Sequence, residues 1–458
     1  NYLLYHIHCI IHYSLLYCYF VILLFIISYS LYYFVLFILY IGEIMFIGID
    51  DTDSRDKYCT TYIGTLLMEE LEKKYKMDIP KLIRMNPMVK YKTRGNGGVS
   101  LMVLSKNDGA PLSYGDIKYI KEIVIKMVEK YSDFKCENTN PGIVFLSEEN
   151  YNKNKEILDN YYKKVLNDIV DINYTKEILD NIGGEYIIYK KGLGIIGALG
   201  SIASNPPFTY ELLAYRKKEK WGTKRTIDSN SVVEMDKKTI PYTYNNVDGN
   251  KQIIAPNTKC PVLYGIRGTK KETLLEAMNE VNSEEIDKYR IYLTNQGTDV
   301  HLRNFKIKDI YANTGVIVYG EVSSNPKNIK NIVLFEIKDN TGKIKCIAYE
   351  PTKSFRNIIR ALKIGDLVAI YGTVRDSPFE INIEKIKIIK LAKQYIKDKK
   401  CECGGTLKSK GKGSGYKCNK CKKTIPYNDI KLIEIKRDII EGFYEVPVSA
   451  RRHLSKPL

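Results

Sequence analysis

Phe46-Ile47-Gly48-Ile49-Asp50-Asp51-Thr52-Asp53-Ser54, followed closely by Cys59-Thr60-Thr61, is the stretch on which the reading of this chain turns. The short apolar run predicts a buried strand, and three carboxylates arrive where it runs out into a loop. Asp50, Asp51 and Asp53 repel one another unless a hard cation is present, and Mg²⁺ carried by a nucleotide suits that place. Thr60 or Thr61 is expected to cap the helix that follows, whose first N–H groups and dipole favour phosphate. An Asp-rich turn before an ordinary Thr cap is the plain alternative. A carboxylate trio and a helix N-terminus converging on one strand end weigh against it.

Upstream, residues 1–44 carry no Lys or Arg and one acid, Glu43, and Leu15 to Ile41 is nearly continuous apolar sequence. At face value that is a membrane helix or an uncleaved anchor. There is no basic flank, no small-residue cleavage site and no linker before the Phe46 strand. The expectation is therefore a start at Met45, with 1–44 a translated upstream stretch, a cytoplasmic protein and no membrane partner. A genuine anchor is the other reading.

Downstream the pattern divides. Residues 45–180 alternate apolar runs with helical periods, such as Tyr62, Ile63, Leu66, Leu67 and Leu71, and read as an α/β catalytic domain. Residues 181–307 read as a smaller α+β domain with a Gly-rich segment at Gly192–Gly200. Five strand-like runs with a helical insert at Ser354–Leu362 make 311–392 an OB-fold β-barrel. Residues 398–458 hold four clustered cysteines and a short tail.

Two further motifs carry chemistry. Arg84-Met85-Asn86-Pro87 leads into a basic loop with Lys92, Arg94, Asn96 and Gly97-Gly98, where glycines admit a phosphate and the cations neutralise transferred charge. Asn-Gly-Gly is equally good hairpin chemistry. Cys401 and Cys403, then Cys418 and Cys421 after a fourteen-residue gap, suit a closed tetrahedral Zn²⁺ site of structural type. The remaining cysteines after Met45 show no pairing pattern, as in a reducing compartment.

Lys plus Arg is 71 against 53 Asp plus Glu, a formal charge of +18, which suggests a polyanionic partner, nucleic acid ahead of an anionic membrane surface, although solvated Lys faces in a basic proteome give the same balance. An OB barrel beside a zinc ribbon is a nucleic-acid-binding pair, with Tyr349, Phe355 and Tyr371 as aromatics able to stack bases, though each taken singly suits a barrel core or strand surface better than a stacking platform.

Taken together, GIDDTDS with CTTYIG (48–64), RMNPMVKYKTRGNGG (84–98), IGALGSIA (196–203), FTYELLAYR (208–216), CPVLYGIRG (260–268) and NQGTDVHL (295–302) resemble the archaeal agmatidine synthetase family. The barrel, the Cys ribbon and EVPVSARRHLSKPL (445–458) extend the likeness over nearly all of 45–458. The resemblance implies an ATP-dependent ligase joining agmatine to C2 of the wobble cytidine in tRNA-Ile(CAU), through a phosphorylated cytidine, with ATP going to AMP. It implies a kinase-like domain at 45–180, a ferredoxin-like domain at 181–307, and tRNA binding by the barrel and ribbon. It places the Mg²⁺ and phosphate carboxylates on Asp50, Asp51 and Asp53 and a phosphorylated Thr on Thr60. Thr61, Lys92, Arg94 and Asn96 are then expected around ATP. Agmatine is a guanidinium, so its pocket calls for a carboxylate, and Glu211 or Asp299 is the candidate. The readings from other classes are a non-catalytic tRNA- or single-strand-binding protein, a membrane-anchored RNA binder, and an RNA phosphotransferase indifferent to agmatine.

Overall fold

The structure, a computed structural model, describes residues 44–54, 57–90, 92, 95–106 and 110–458. The apolar stretch 15–41, and with it the question of an anchor, lies outside them. Among the described residues no helix is long and apolar enough to cross a membrane. The chain forms two compact units, one ending at Asn246 and resuming over Ile254–Asn295, the other made of Val247–Ile253 and Gln296–Leu458.

The first unit is built on one mixed sheet. Its strands run, side by side, Glu185–Ile188, Gly142–Ser147, Met45–Asp50, Gly97–Leu104, Lys81–Arg84, Ile286–Thr294, Thr209–Arg216, Val262–Gly268 and Thr243–Tyr244. Met45–Asp50 lies antiparallel between Gly97–Leu104 and Gly142–Ser147, with Ile47 opposite Leu101 on one side and Phe145 on the other. The parallel pairing of Leu82 with Thr294 joins this half to the later strands, so the α/β and α+β regions share a single sheet.

One face of the sheet is covered by the helices Thr60–Leu71 and Tyr114–Tyr131. Ile63, Leu67 and Leu71 from the first meet Ile120, Val124 and Val128 from the second, over Ile47, Val99 and Leu101. The helical spacing of those residues is what makes one stripe of each helix apolar. Ser113 and Asp116 start the second helix with a reciprocal capping box.

The Gly-rich segment becomes the helix Gly194–Ile202, which packs against Met45–Asp50, Gly97–Leu104 and Gly142–Ser147. It approaches the sheet at backbone distance. A methyl on Gly48 would overlap the Ala198 carbonyl, and one on Gly98 would overlap the Gly197 carbonyl.

In the second unit, Gly315–Val322, Ile332–Lys338, Lys343–Ala348, Leu367–Arg375 and Glu380–Lys390 close into a barrel, with the helix Phe355–Ala361 after the third strand. Alternate residues such as Val316, Val318, Phe335, Ile337, Val368 and Ile370 fill it. The candidate stacking aromatics part company here. Phe355 is in the barrel core at 3% exposure, so it is no platform for a base. The Tyr349 hydroxyl donates to Glu380 Oε1 at 2.9 Å. Tyr371 lies 5.9 Å from Phe443, an exposed ring on Gly442–Glu445, a strand annealed to the barrel edge.

Candidate active site at the end of the first strand

Asp50 is the last residue of Met45–Asp50, in register with Gly142. Its side chain sits where the Gly194–Ile202 helix comes closest, and a methyl on Gly197 would overlap the carboxylate itself. Asp51 follows with φ +57, a left-handed conformation that Asp tolerates better than most residues. That turn brings Asp51 N–H to its neighbour's Oδ1 at 2.6 Å and lets Asp51 Oδ2 accept from Asn140 N–H at 3.1 Å. The Asp53 carbonyl accepts the Thr139 hydroxyl at 2.7 Å, which ties the loop to the segment entering the strand Gly142–Ser147.

These carboxylates are under electrostatic stress. Burial, opposed by the bond from Asp51 N–H and reinforced by the Asp53 charge, raises Asp50 to about 7. Burial, with the charges of Asp50 and Asp53 behind it, raises Asp51 to about 8. A cation is the direct remedy for such a pair. The oxygens of the trio are not gathered about one point, however; among the described residues only the four ribbon cysteines are.

Thr60 and Thr61 open the helix Thr60–Leu71, but neither caps it. The N-cap is Cys59, which makes no side-chain cap hydrogen bond. The expectation of a Thr cap fails because both hydroxyls are engaged elsewhere. Thr60 Oγ1 pairs with Thr52 Oγ1 at 3.0 Å, and Thr61 Oγ1 lies 3.0 Å from Cys59 Sγ. Thr60 is thereby in the first helical turn, where backbone N–H groups have no intrahelical acceptor.

The basic loop is partly described. Arg94 lies outside the described residues. Asn96 Nδ2 donates to the Asn86 carbonyl at 3.0 Å, and Lys92 Nζ donates to the Pro87 carbonyl. Both side chains thus brace the loop against its own beginning.

The sequence marks Arg84 only as the start of that loop, yet the structure makes it a central cation. Asn295 fixes its backbone, accepting Arg84 N–H at 2.8 Å and donating to its carbonyl at 2.8 Å. Among the described residues its buried Nε has no hydrogen-bond partner. Burial lowers the guanidinium's pKa, while Glu211, Cys59 and Asp53 pull it back up. Strand register across Lys81–Arg84, Ile286–Thr294 and Thr209–Arg216 is what brings Arg84 toward Glu211, and no local pattern announces that.

Glu211 is buried at 2% exposure and accepts Arg267 Nε at 3.0 Å from the next strand. Asp299, in the second unit, has φ +61 and accepts Lys385 Nζ at 2.5 Å and Lys456 N–H at 2.7 Å.

In the ribbon, Cys401 Sγ lies 3.7 Å from Cys421 Sγ and Cys403 Sγ 3.5 Å from Cys418 Sγ. All four sulfurs fall within 4.8 Å of one another. A tetrahedron of ~2.3 Å Zn–S bonds has edges of about 3.8 Å, so the set fits zinc with no open position. The hairpin Leu407–Ser409 and Tyr416–Cys418 carries the second pair toward the first.

Comparison with known proteins agrees along the chain. The TiaS TCKD domain family matches residues 46–191, the TiaS FLD domain family 192–301, the OB-fold nucleic acid binding domain 316–389 and the TiaS C-terminal zinc ribbon domain 398–439. The tRNA 2-agmatinylcytidine synthetase TiaS of Methanocaldococcus jannaschii, named for an isoleucine tRNA, is 62% identical over 90% of this chain and 98% of its own. The protein of that name from Methanococcus voltae is 51% identical over 90% and 98%. A crystal structure of TiaS in complex with that isoleucine tRNA and ATP superposes with a TM-score of 0.82 at 38% identity, covering 91% of this chain and 97% of that one. A complex of TiaS with the same tRNA, AMPCPP and agmatine gives 0.78 at 36% identity, covering 91% and 97%. With its relatives matched almost end to end, this chain belongs to the TiaS family of tRNA 2-agmatinylcytidine synthetases.

Proposed function

We propose that this protein is an ATP-dependent ligase that attaches agmatine to C2 of the wobble cytidine of tRNA-Ile(CAU), so that the modified tRNA reads AUA. What carries the reading is the end-to-end match to TiaS proteins, including one solved with its isoleucine tRNA and ATP. The strand-end carboxylates of Asp50 and Asp51 and the helix turn of Thr60 supply chemistry of the right kind at one place.

A cytidine O2 is a poor leaving group until it is phosphorylated. Once it is, the agmatine amine adds at C2, a C–N bond forms, the C–O bond breaks and phosphate departs. Mg²⁺, the expected companion of ATP, would supply charge neutralisation for the triphosphate, and Asp50, Asp51 and Asp53 would hold it. Burial of Asp50 and Asp51, with the Asp53 charge beside them, is what makes their ionised forms seek a cation. Thr60 presents its hydroxyl from the first helical turn as a phosphate contact or acceptor. Thr61 contributes an N–H group of the same turn, and Lys92, Arg94 and Asn96 form or brace the basic loop. Arg84, cationic and poorly compensated, stands between the carboxylate trio and Glu211 in charge terms.

For agmatine we assign Glu211, which already accepts one guanidinium, that of Arg267. Asp299 carries an ion pair with Lys385 and holds the C-terminal tail. The barrel and ribbon hold the tRNA, and a tRNA substrate places the work in the cytoplasm.

AMP release from ATP, measured with tRNA-Ile(CAU) transcript with and without agmatine, tests this. Agmatine-dependent AMP release that disappears when the wobble cytidine is replaced by uridine is expected. Bound tRNA with no AMP release would leave a tRNA-binding protein instead.

A further inference from the structure

Thr60 and Thr61 belong to the first half of the unit's sheet, yet the turn that carries them is held from the other half. Tyr292, on Ile286–Thr294, is fully buried, and its hydroxyl donates to the Thr61 carbonyl at 2.6 Å. Thr65 lies one turn on, with its Oγ1 3.1 Å from the same carbonyl, 2.9 Å from the Tyr292 hydroxyl and 3.2 Å from that of Tyr215. Tyr215 comes from Thr209–Arg216 and is also fully buried. Two hydroxyls thus close on one backbone carbonyl and a third, that of Tyr215, backs Thr65 from behind, in a pocket where burial keeps both phenols protonated.

Space has been left for this contact. A methyl on Gly64 would stand 3.2 Å from the Tyr292 hydroxyl and 2.9 Å from Val99 Cγ1, so the glycine is what lets the ring reach the helix. Tyr292 is also the register partner of Glu211, and Arg267 is the register partner of Glu211 on its far side. Directly opposed residues of a sheet project to the same face. The strand position of the guanidinium-holding carboxylate and the clamp on the Thr61 turn are therefore one cross-strand pair.

We propose that Tyr292, backed by Thr65 and Tyr215, is a positioning residue for phosphoryl transfer: it fixes the Thr60–Thr61 turn relative to the sheet face that carries Glu211. This rests on the reading of Asp50 and Thr60 as the phosphoryl site. An ordinary buried hydrogen bond would serve stability alone. Here the acceptor is the carbonyl next to the reactive residue, in a first turn lacking a side-chain cap, so alignment depends on it. Misplacement of a reacting group by even ~1 Å costs up to about 100-fold in rate.

The test compares Tyr292→Phe, which keeps the ring, and Gly64→Ala, which keeps every hydroxyl, with Thr60→Ala and Asp50→Asn. AMP formation is measured at saturating ATP, agmatine and tRNA, normalised to active sites titrated by tRNA binding. The expected result is a kcat lowered about 10- to 100-fold in Tyr292→Phe, with KM for agmatine and tRNA within about twofold, because alignment rather than binding is lost. Gly64→Ala should move in the same direction. The emission of Trp221, the chain's single tryptophan, reports whether the fold is intact, since its ring lies 5.1 Å from that of Tyr62 on the same helix as Thr60 and Gly64. Native emission with wild-type kcat per site in Tyr292→Phe, while Thr60→Ala and Asp50→Asn are inactive, overturns the proposal and leaves the phosphoryl site standing. Normal turnover in Asp50→Asn and Thr60→Ala overturns both.

Discussion

The hydroxyls of Thr52 and Thr60 lie 3.0 Å apart, both buried, and join the loop that leaves the first strand to the helix that follows it. One side of this contact is in the carboxylate loop and the other on the proposed phosphate acceptor. Thr52→Val keeps the shape and removes the bond. Stability should fall by about 1 kcal/mol, the usual scale for one buried hydrogen bond, while kcat falls at least about tenfold as the Thr60 rotamer is freed. Thermal unfolding and AMP release check the two effects separately.

Gly197→Ala should place a methyl directly on the proposed catalytic carboxylate. It forces the Asp50 carboxylate and the Gly194–Ile202 helix apart, and overpacking of this kind costs ~1–3 kcal/mol. ATP cleavage should be lost while tRNA affinity in a gel-shift titration holds, because the barrel and ribbon are untouched.

The pH behaviour follows from Asp50 and Asp51. Both begin from 3.8 in the unfolded chain and rise to about 7 and about 8 on folding, mainly by burial. The folded chain therefore holds extra protons above 3.8, and its stability declines as pH rises until both groups have ionised near 8. Mg²⁺ with ATP requires the ionised forms, so it should raise the melting temperature more at pH 8 than at pH 6, and KM for ATP should fall across that interval. Asp51→Asn should remove the upper part of this dependence. A melting temperature equally indifferent to Mg²⁺–ATP at both pH values would count against the carboxylates as its ligands.

Zinc should be found at one ion per chain, held by Cys401, Cys403, Cys418 and Cys421. Cys403→Ser should lose the metal and loosen the Lys-rich hairpin at 407–418, weakening tRNA binding by roughly tenfold, with a shallower salt dependence. AMP formation at saturating tRNA should survive. Metal analysis and binding at two salt concentrations decide it.

Legibility followed range. The strand-to-carboxylate step at Ile49–Asp53, the five barrel strands and the cysteine pairs are local patterns, and the sequence displays them. Phe355 shows what a local pattern leaves open: in the helical insert an aromatic can face solvent or the barrel, and it faces the barrel, the more ordinary of the two places. The capping of Thr60–Leu71 was hidden because the competing partners, Thr52 and Cys59, act through side chains in the folded loop. Arg84 and Glu211 are visible in the sequence one by one, but what joins them to each other and to Tyr292 was hidden more deeply. Their association is written in the parallel register of Leu82 with Thr294 and the antiparallel register of Tyr292 with Glu211, between segments far apart along the chain.

Nucleoside mass spectrometry on tRNA-Ile(CAU) recovered after incubation with ATP and agmatine tests the central claim most directly. Wild-type protein should leave an agmatine-sized adduct on the wobble cytidine, and Asp50→Asn should leave that nucleoside unchanged while still binding the tRNA. An unmodified cytidine after incubation with wild-type protein that binds the tRNA would contradict the ligase assignment, and an adduct formed by Asp50→Asn would contradict the placement of its active site.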